Sequence, residues 1–271
     1  ARLQASMSSW WPHAAWLLPY ALVVSAGAGF VRGYTGFGYS VLVVCLLSPF
    51  VPPGPVVAAV LMLEVAGSLA HLPGTRERVD RTWFRTLLAG NLVAVPVGVA
   101  ALTWMPLTSL RLLVGGSLLT AAVLLRGSAG RVLPASPAVR GVAALSSGLL
   151  NGLAASGGIV AALMMAATRP LPEALRATMI VWLMFIGLYV LGWAALMPLL
   201  HRGPGMTALV GWDALRWAAI LWPTMAIGLG LGRRRFSVAS AAQFRRVVLD
   251  LLVATSALSL LLALWGAWRA A

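Results

Sequence analysis

Lysine is absent from this chain, and acidic side chains are scarce: six Asp and Glu residues stand against 20 arginines. Charged residues make up only 10% of the sequence, whereas hydrophobic residues make up 61%. A soluble domain carries about 25% charged and about 45–50% apolar residues. The scarcity of charge therefore excludes a water-soluble enzyme and a nucleic-acid-binding module, although the net charge of +14 has the sign that nucleic acid attracts.

Cysteine is nearly absent as well, since Cys45 is the single one and lies inside an apolar run. One cysteine excludes a disulfide framework and a paired-thiol redox centre. No P-loop or other nucleotide-binding pattern is present, and we expect neither a metal nor a cofactor. With a mean hydropathy of +0.92, the composition predicts a polytopic membrane protein whose first partner is the lipid bilayer.

Ten apolar segments follow one another, at roughly 14–31, 37–50, 54–72, 84–104, 107–126, 138–153, 157–168, 172–197, 213–232 and 243–268. Crossing a hydrocarbon core of about 30 Å takes about 20 helical residues, so the second and seventh segments are too short. Both follow a Gly-rich break and end at a Pro-rich turn. Short, Gly/Pro-interrupted segments in corresponding positions of two halves are typical of a transporter's binding site.

The two halves correspond at an offset of 119 residues, which lays Gly29 on Gly148, Gly38 on Gly157 and Pro53 on Pro172. We predict an N-terminal tail over 1–13, a first repeat over 14–126, a cytoplasmic linker over 127–137 and a second repeat over 138–268. Because each repeat has five segments, the second copy would enter the membrane upside down. The predicted fold class is an all-α polytopic membrane protein of two inverted repeats. The first two segments of each repeat form a short or re-entrant pair whose Gly-rich tip lies near mid-membrane.

The arginines predict the orientation of the chain in the membrane. If the segments alternate, the loops around 73–85, 126–140, 169–176 and 233–246 lie on one side. They hold fourteen of the 20 arginines, and the loops of the opposite side hold five. The arginine-rich side is therefore predicted to be cytoplasmic, and both termini extracytoplasmic.

The Gly-rich tips are the predicted substrate site. Each tip precedes a helix whose N-terminus carries a partial positive charge suited to an anion, and two inverted tips can converge on one site. Arg32 adds a permanent charge with five donors, Asn151 holds the matching place in the second half, and Thr35 and Ser156 add hydroxyl donors. The predicted substrate-binding residues are Arg32, Gly33, Tyr34, Thr35, Gly36 and Gly38 in the first tip and Asn151, Ser156, Gly157 and Gly158 in the second. The same glycines also suit close helix packing.

These tips also carry a family resemblance. The first is GFVRGYTGFGYSVLVVCLLSPFVPPGPVVAAV, and the second is SSGLLNGLAASGGIVAALMMAATRPLPEALRAT. Together with the repeat ends PVGVAALTWMPLTSLRLLVGGSLL and IGLGLGRRRFSVASAAQFRRVVLDLL, they resemble the sulfite exporter TauE/SafE family over about Ala14 to about Leu264. The resemblance implies transport of sulfite, sulfonates or other small anions across the bacterial plasma membrane. The second tip lacks the fuller glycine run of many members, which leaves the anion open.

Glu64 is the other predicted functional residue, because it lies midway along segment 54–72. A charged side chain at this depth costs about 2.5–3.5 kcal/mol on insertion scales and usually has a partner or a function. Two interpretations stay open: a buried ion pair with Arg32, or a gate that couples anion movement to protons. In a combined mechanism, the anion competes with Glu64 for Arg32. His71, at the cytoplasmic end of the segment, is predicted to be a surface group.

Three classes of function fit these features to different degrees. The first is a secondary transporter that moves small anions, including carboxylates, by alternating access with protons as a candidate coupling ion. The second is an anion channel with the same pore chemistry. The third, an intramembrane hydrolase built on Ser156, lacks a base, because His13, His71 and His201 all fall at or near segment ends. We therefore predict a transporter and no enzyme; the oligomeric state stays open.

Overall fold

The computed structural model describes most of the chain, but with gaps. The described residues are 16–47, 50–51, 53–102, 133–154, 157–200 and 211–236, together with the positions 243, 246, 250, 253, 254, 257 and 261. The predicted segment 107–126 lies outside them, as do Ser156, the tail 1–13 and most of the linker 127–137. Of the predicted segment 243–268, only the seven separate positions are described, all of them helical.

The described residues form eight α-helices, one short 3₁₀ turn over Arg76–Arg78 and no strand. The helices are α1 (Leu17–Thr35), α2 (Tyr39–Leu47), α3 (Pro53–His71), α4 (Arg81–Leu102), α5 (Pro137–Ala154), α6 (Gly157–Ala167), α7 (Pro172–Leu200) and α8 (Trp212–Phe236). Eight of the ten predicted segments therefore appear as helices. The starts of α3 and α7, Pro53 and Pro172, keep the 119-residue offset.

The Gly-rich tips are much shorter than predicted. Helix α1 runs through Gly29 and Gly33 to Thr35, and α5 runs through Gly148 and Gly152 to Ala154. The expectation that these glycines form a non-helical tip is wrong. Their missing side chains serve helix packing instead, because they let two backbones approach closely.

Helix α1 packs along α8 through glycines of both helices. A Cβ at Gly33 would lie 2.3 Å from the backbone oxygen of Leu229, and one at Gly29 would lie 2.6 Å from that of Met225. In return, a Cβ at Gly232 would lie 2.1 Å from the oxygen of Phe30. Residue numbers rise together along this contact, so α1 and α8 run in the same direction.

Helix α4 packs along α5 in the same manner. A Cβ at Gly152 would lie 2.4 Å from the oxygen of Val95, and one at Gly98 would lie 2.5 Å from that of Leu149. Near the other end of the contact, Gly90 lies against Ala144. This pair also runs in one direction. The first helix of each predicted repeat thus packs on the fourth helix of the other.

Helix α7 runs parallel to α4, and its first turns lie beside the end of α1. The rings of Phe84 and Phe185 lie 5.7 Å apart, and further along both helices the Tyr189 hydroxyl donates to the oxygen of Leu92. At the start of α7, Arg176 donates to the oxygen of Gly33, near the end of α1. Helices α1, α3 and α8 therefore run one way, and α4, α5 and α7 run the other.

The direction of α3 in this scheme follows from an ion pair just beyond its end. Arg78, in the 3₁₀ turn after α3, lies 3.0 Å from Glu173 in the first turn of α7. Helix α3 thus ends where α7 begins, and the two are antiparallel. Helices α1 and α3 end on the same side of the protein, beside the start of α7.

The outer surface of the bundle is suited to lipid. Three described helices are long and apolar enough to cross a membrane: Arg81–Ala100, Pro172–Leu196 and Trp212–Phe236. Large apolar side chains point outward along several helices, among them Val23, Val93, Val97, Val142 and Ile227. Several polar side chains, among them Arg32, Glu64, Asn91 and Asn151, are in contrast buried inside the bundle.

Candidate functional site

A buried ion pair joins α1 to α3. Arg32 Nη1 lies 3.1 Å from Glu64 Oε1, and both residues are only 2% exposed. Arg32 Nη2 donates to the backbone oxygen of Glu64 at 2.8 Å and to Ser68 Oγ at 2.6 Å. Ionised groups are expensive to bury unless they are paired and hydrogen-bonded. The pair and its two additional hydrogen bonds meet that requirement.

The carboxylate of Glu64 also caps the short helix α2. The backbone N–H of Ser40, in the first turn of α2, donates to Glu64 Oε1 at 3.4 Å. The N-terminus of a helix carries unsatisfied N–H groups and a partial positive charge, both of which attract an anion. Glu64 therefore occupies an oxyanion position that is formed by an arginine and a helix N-terminus.

The chain break before α2 brings these groups together. Gly36 ends α1 in the left-handed conformation (φ 89°), and its N–H donates to the oxygen of Arg32 at 2.7 Å. A residue with a Cβ is strained at this φ. The Thr35 hydroxyl bonds to the backbone of the break at Phe37, which places the N-terminus of α2 beside the last turn of α1.

The second half has a neutral network at the matching position. Asn151 Oδ1 accepts a hydrogen bond of 2.9 Å from the N–H of Gly157, the first residue of α6. Asn151 Nδ2 donates to Asn91 Oδ1 at 3.0 Å. The carbonyl oxygen of Asn151 thus caps α6 as the carboxylate of Glu64 caps α2, but without a net charge.

Asn91 of α4 is the centre of this neutral network. Its amide nitrogen lies within hydrogen-bond distance of the oxygens of Leu87 and Ala144 and of Ser147 Oγ. Asn91 and Asn151 are the only two asparagines in the sequence. The network ties α4, α5 and the start of α6 together, and its polar atoms are paired.

The remaining predicted site residues have structural partners. Thr35 Oγ1 bonds to the oxygens of Val31 and Phe37, and the ring of Tyr34 meets that of Phe236 edge to face at 6.1 Å. Gly33 and Gly36 lie in close contact with Leu229 and with Arg176, respectively. Gly38, with φ 93°, ends the break before α2, and Gly158 lies against Leu183. Their contact with a substrate stays a prediction.

The structure brings Arg32, Glu64 and the start of α2 together, and the described hydrogen bonds of the two tips form separate networks. Within the described residues, no hydrogen bond links the network of Arg32 to that of Asn151. Phe37 and Val41 from the first half instead share an apolar cluster with Ile159 and Leu163 of α6. The expected convergence of both tips on one site therefore stays a prediction.

His71 differs from its prediction as a surface group. It is 7% exposed, and its ring nitrogen Nδ1 donates to the oxygen of Gly67 at 3.0 Å. Arg176, which the sequence placed in a cytoplasmic loop, lies within the first turns of α7 and bonds to the last turn of α1. Both side chains therefore lie beside the C-terminal ends of α1 and α3.

Four polar residues of these networks were not predicted from the sequence: Ser40, Ser68, Asn91 and Ser147. Ser68 lies four residues after Glu64 and so shares its helix face, which is a signal that the sequence contains. Asn91 is a strongly polar residue inside an apolar segment, and such residues usually face the bundle interior. Ser40 and Ser147 gave no signal, because serine is common in membrane helices and only packing decides its partner.

The family model described as sulfite exporter TauE/SafE matches residues 21–259, which is most of the chain. Comparison with curated proteins and with solved structures gives no significant match.

Proposed function

The chain belongs to the sulfite exporter TauE/SafE family, and from this premise we propose that it is a secondary transporter of small sulfur-containing or organic anions. The family and the apolar helices make it a multi-pass membrane protein of an anion-transport family. The finer statements are proposals. They are the anion, the site, the coupling ion, and a location in the bacterial plasma membrane with both termini outside.

The proposed anion site is the oxyanion position between Arg32 and the start of α2. Arginine offers a planar fork that fits sulfite, sulfonate and carboxylate groups. Ser68 and the N–H of Ser40 lie at the same place, and both already bind Arg32 or the carboxylate of Glu64. This buried, fully paired arginine is the single observation that carries the proposal.

The proposed mechanism is an exchange of anions at Arg32. Glu64 holds the position when no substrate is bound, and the arriving anion replaces the carboxylate on the arginine and on the helix N-terminus. The displaced Glu64 then takes up a proton or moves to another donor. Only the uptake of a proton would link transport to a proton gradient. An anion replacing an anion keeps the buried charge balanced, so Arg32 is never left unpaired.

Alternating access follows from a proposed inverted repeat. Its support is the arrangement of equivalent helices: α1 and α5, α3 and α7, and α4 and α8 run in opposite directions, and the packing of α1 on α8 matches that of α4 on α5. A two-fold axis in the membrane plane produces this relation, and rocking of one repeat against the other exposes a site alternately to the two sides.

The test is uptake of radiolabelled sulfite into proteoliposomes, with unlabelled sulfonates and carboxylates as competitors, with and without a pH gradient. Saturable uptake with counterflow supports a carrier, whereas uptake that rises linearly with concentration supports a channel. The competitor class that blocks uptake identifies the anion. If none of these anions moves, the proposed function is wrong.

The matched variants separate binding from folding. Arg32→Gln alone leaves Glu64 as a buried unpaired charge, which costs about 3–5 kcal/mol and risks misfolding. The double variant Arg32→Gln with Glu64→Gln keeps the shape of the pair without its charges. We expect it to fold and to lose sulfite uptake; uptake at the wild-type rate would contradict the role of Arg32.

A further inference from the structure

A second arginine, Arg176, lies between the buried pair and the protein surface. Its Nε and Nη2 atoms donate to the oxygen of Gly33 at 3.1 and 2.8 Å. The guanidinium also stacks 4.7 Å from the centre of the Phe236 ring. One edge and one face of the guanidinium are thus fixed by the protein, which holds the group in a defined orientation.

The other edge of this guanidinium is available to a ligand. Within the described part of the chain, Nη1 of Arg176 makes no hydrogen bond, and the side chain is half-buried rather than enclosed. A guanidinium edge with two parallel N–H groups binds planar or tetrahedral oxyanions in a bidentate manner. Arg176 is therefore oriented by its contacts with Gly33 and Phe236, and it has N–H donors left for a ligand.

Arg32, His71 and Arg233 lie on the helices next to Arg176. Gly33, its acceptor, is the next residue after Arg32. On α3, His71 bonds to Gly67, and a Cβ at Gly67 would lie 3.4 Å from Arg32 Nε. On α8, Arg233 lies one turn before Phe236.

Two acidic groups near this cluster are already paired with arginines. Glu64 pairs with Arg32, and Glu173, three residues before Arg176, pairs with Arg78 at 3.0 Å. Side-chain exposure falls from Arg233, which is exposed, through half-buried Arg176, to Arg32, which is 2% exposed. The three arginines thus range from an exposed to a buried position, and a set of positive charges of this kind attracts and guides anions.

We propose that Arg176, with Arg233 beside it, forms a second anion-binding site on the route between the arginine-rich face and Arg32. The ligand is a small oxyanion of the class that is transported, which binds here while Glu64 still occupies Arg32. The inference rests on the proposed function for the identity of its ligand class. It assigns to Arg176 a binding role in addition to its contact with the end of α1.

The test isolates this site from the site at Arg32. The purified full chain in detergent carries the neutral pair, Arg32→Gln with Glu64→Gln, and sulfite binding is measured by equilibrium dialysis. We expect this background to retain sulfite binding. Adding Arg176→Gln should weaken it at least about tenfold, because a charged bidentate contact is lost, and Arg176→Lys should weaken it less.

Arg85→Gln is the matched control, since Arg85 is exposed in the first turns of α4 and lies outside the cluster. It removes one arginine and should leave sulfite binding unchanged. The inference is overturned if the neutral-pair background binds no sulfite, if Arg176→Gln has no effect, or if phosphatidylglycerol abolishes binding as a competing lipid. Failure of the proposed function gives a different result: the neutral pair then transports sulfite at the wild-type rate, or no anion is transported by the wild type.

Discussion

At the scale of single residues, the buried pair of Arg32 and Glu64 is well hydrogen-bonded but contributes little net stability. Its geometry is well satisfied, because Arg32 reaches the carboxylate, a backbone oxygen and Ser68. Yet a buried ion pair contributes little net stability, since the loss of hydration offsets the attraction. Another anion can therefore replace the carboxylate of Glu64 with little loss of folding free energy, and a transport site requires such an exchange.

Glu64→Gln tests the exchange. The variant removes the competitor for Arg32, so sulfite should bind at least about tenfold more tightly, as expected when one charged competing hydrogen bond is lost. Without sulfite the unpaired arginine should lower the melting temperature, and added sulfite should raise it more than in the wild type. Tryptophan fluorescence on heating measures both effects, because the chain has 12 tryptophans.

Ser68→Ala is the control for this experiment, because it removes one partner of Arg32 and leaves the carboxylate in place. It should weaken sulfite binding rather than strengthen it. Equal sulfite affinity in Glu64→Gln and the wild type would leave Glu64 with a structural role only. A pH profile of uptake that is unchanged in Glu64→Gln would in addition exclude it as the proton carrier.

The asparagine pair of the second half gives a prediction for stability alone. Asn91→Ala or Asn151→Ala leaves buried polar partners unsatisfied, and each should cost about 1–3 kcal/mol of unfolding free energy. Because the two amides bond to each other, the double variant should cost less than the sum of the single ones. Denaturant unfolding in detergent measures the cycle; additive costs would mean that the pair is not coupled.

At the scale of elements, the contact of α1 with α8 depends on glycines spaced four residues apart. Gly33→Ala places a Cβ 2.3 Å from the oxygen of Leu229, so the helices must separate. We expect a loss of about 1–3 kcal/mol, the usual range for overpacking, seen as a lower melting temperature in detergent.

Gly27→Ala is the matched control on the same helix. Gly27 faces outward and has no atom within 4 Å of an added Cβ. Alanine is the better helix former, by about 0.5–1 kcal/mol, so this variant should be as stable as the wild type or more stable. Equal destabilisation by both variants would contradict the packing role of Gly33.

At the scale of the whole molecule, the helix directions predict the two faces of the protein. Helices α4 and α8 are the fourth helices of their repeats and run in opposite directions, so their first turns should lie on opposite sides of the membrane. Arg85 marks the start of α4, and Asp213, which lies 3.8 Å from Arg216, marks that of α8.

Cysteine labelling tests this directly. With the single native cysteine replaced by Cys45→Ala, Arg85→Cys should react with a membrane-impermeant thiol reagent only from the cytoplasmic side, and Asp213→Cys only from outside. Labelling of both from one side would show that the repeats have the same orientation, and alternating access by an inverted repeat would then be wrong.

Much of the architecture could be predicted from the sequence, because hydropathy and proline mark helix ends. Helices α3 and α7 begin at Pro53 and Pro172, within one residue of the predicted starts. The Gly-rich tips were predicted wrongly, because glycine serves both breaks and helix contacts, and local sequence does not distinguish them. Only at Gly36 and Gly38, where φ is positive, does the glycine mark the break itself.

The sequence by itself determined the class of the protein and the presence of an intramembrane arginine and glutamate, and it predicted the repeat, because all three depend on composition and spacing. Tertiary structure decided which groups meet. It paired Glu64 with Arg32, bonded Asn151 to Asn91 across 60 positions of the chain and brought Arg176 of one repeat to Gly33 of the other. Hydropathy acts locally, whereas a hydrogen bond needs two atoms within about 3 Å, and in this protein helix packing supplies that proximity.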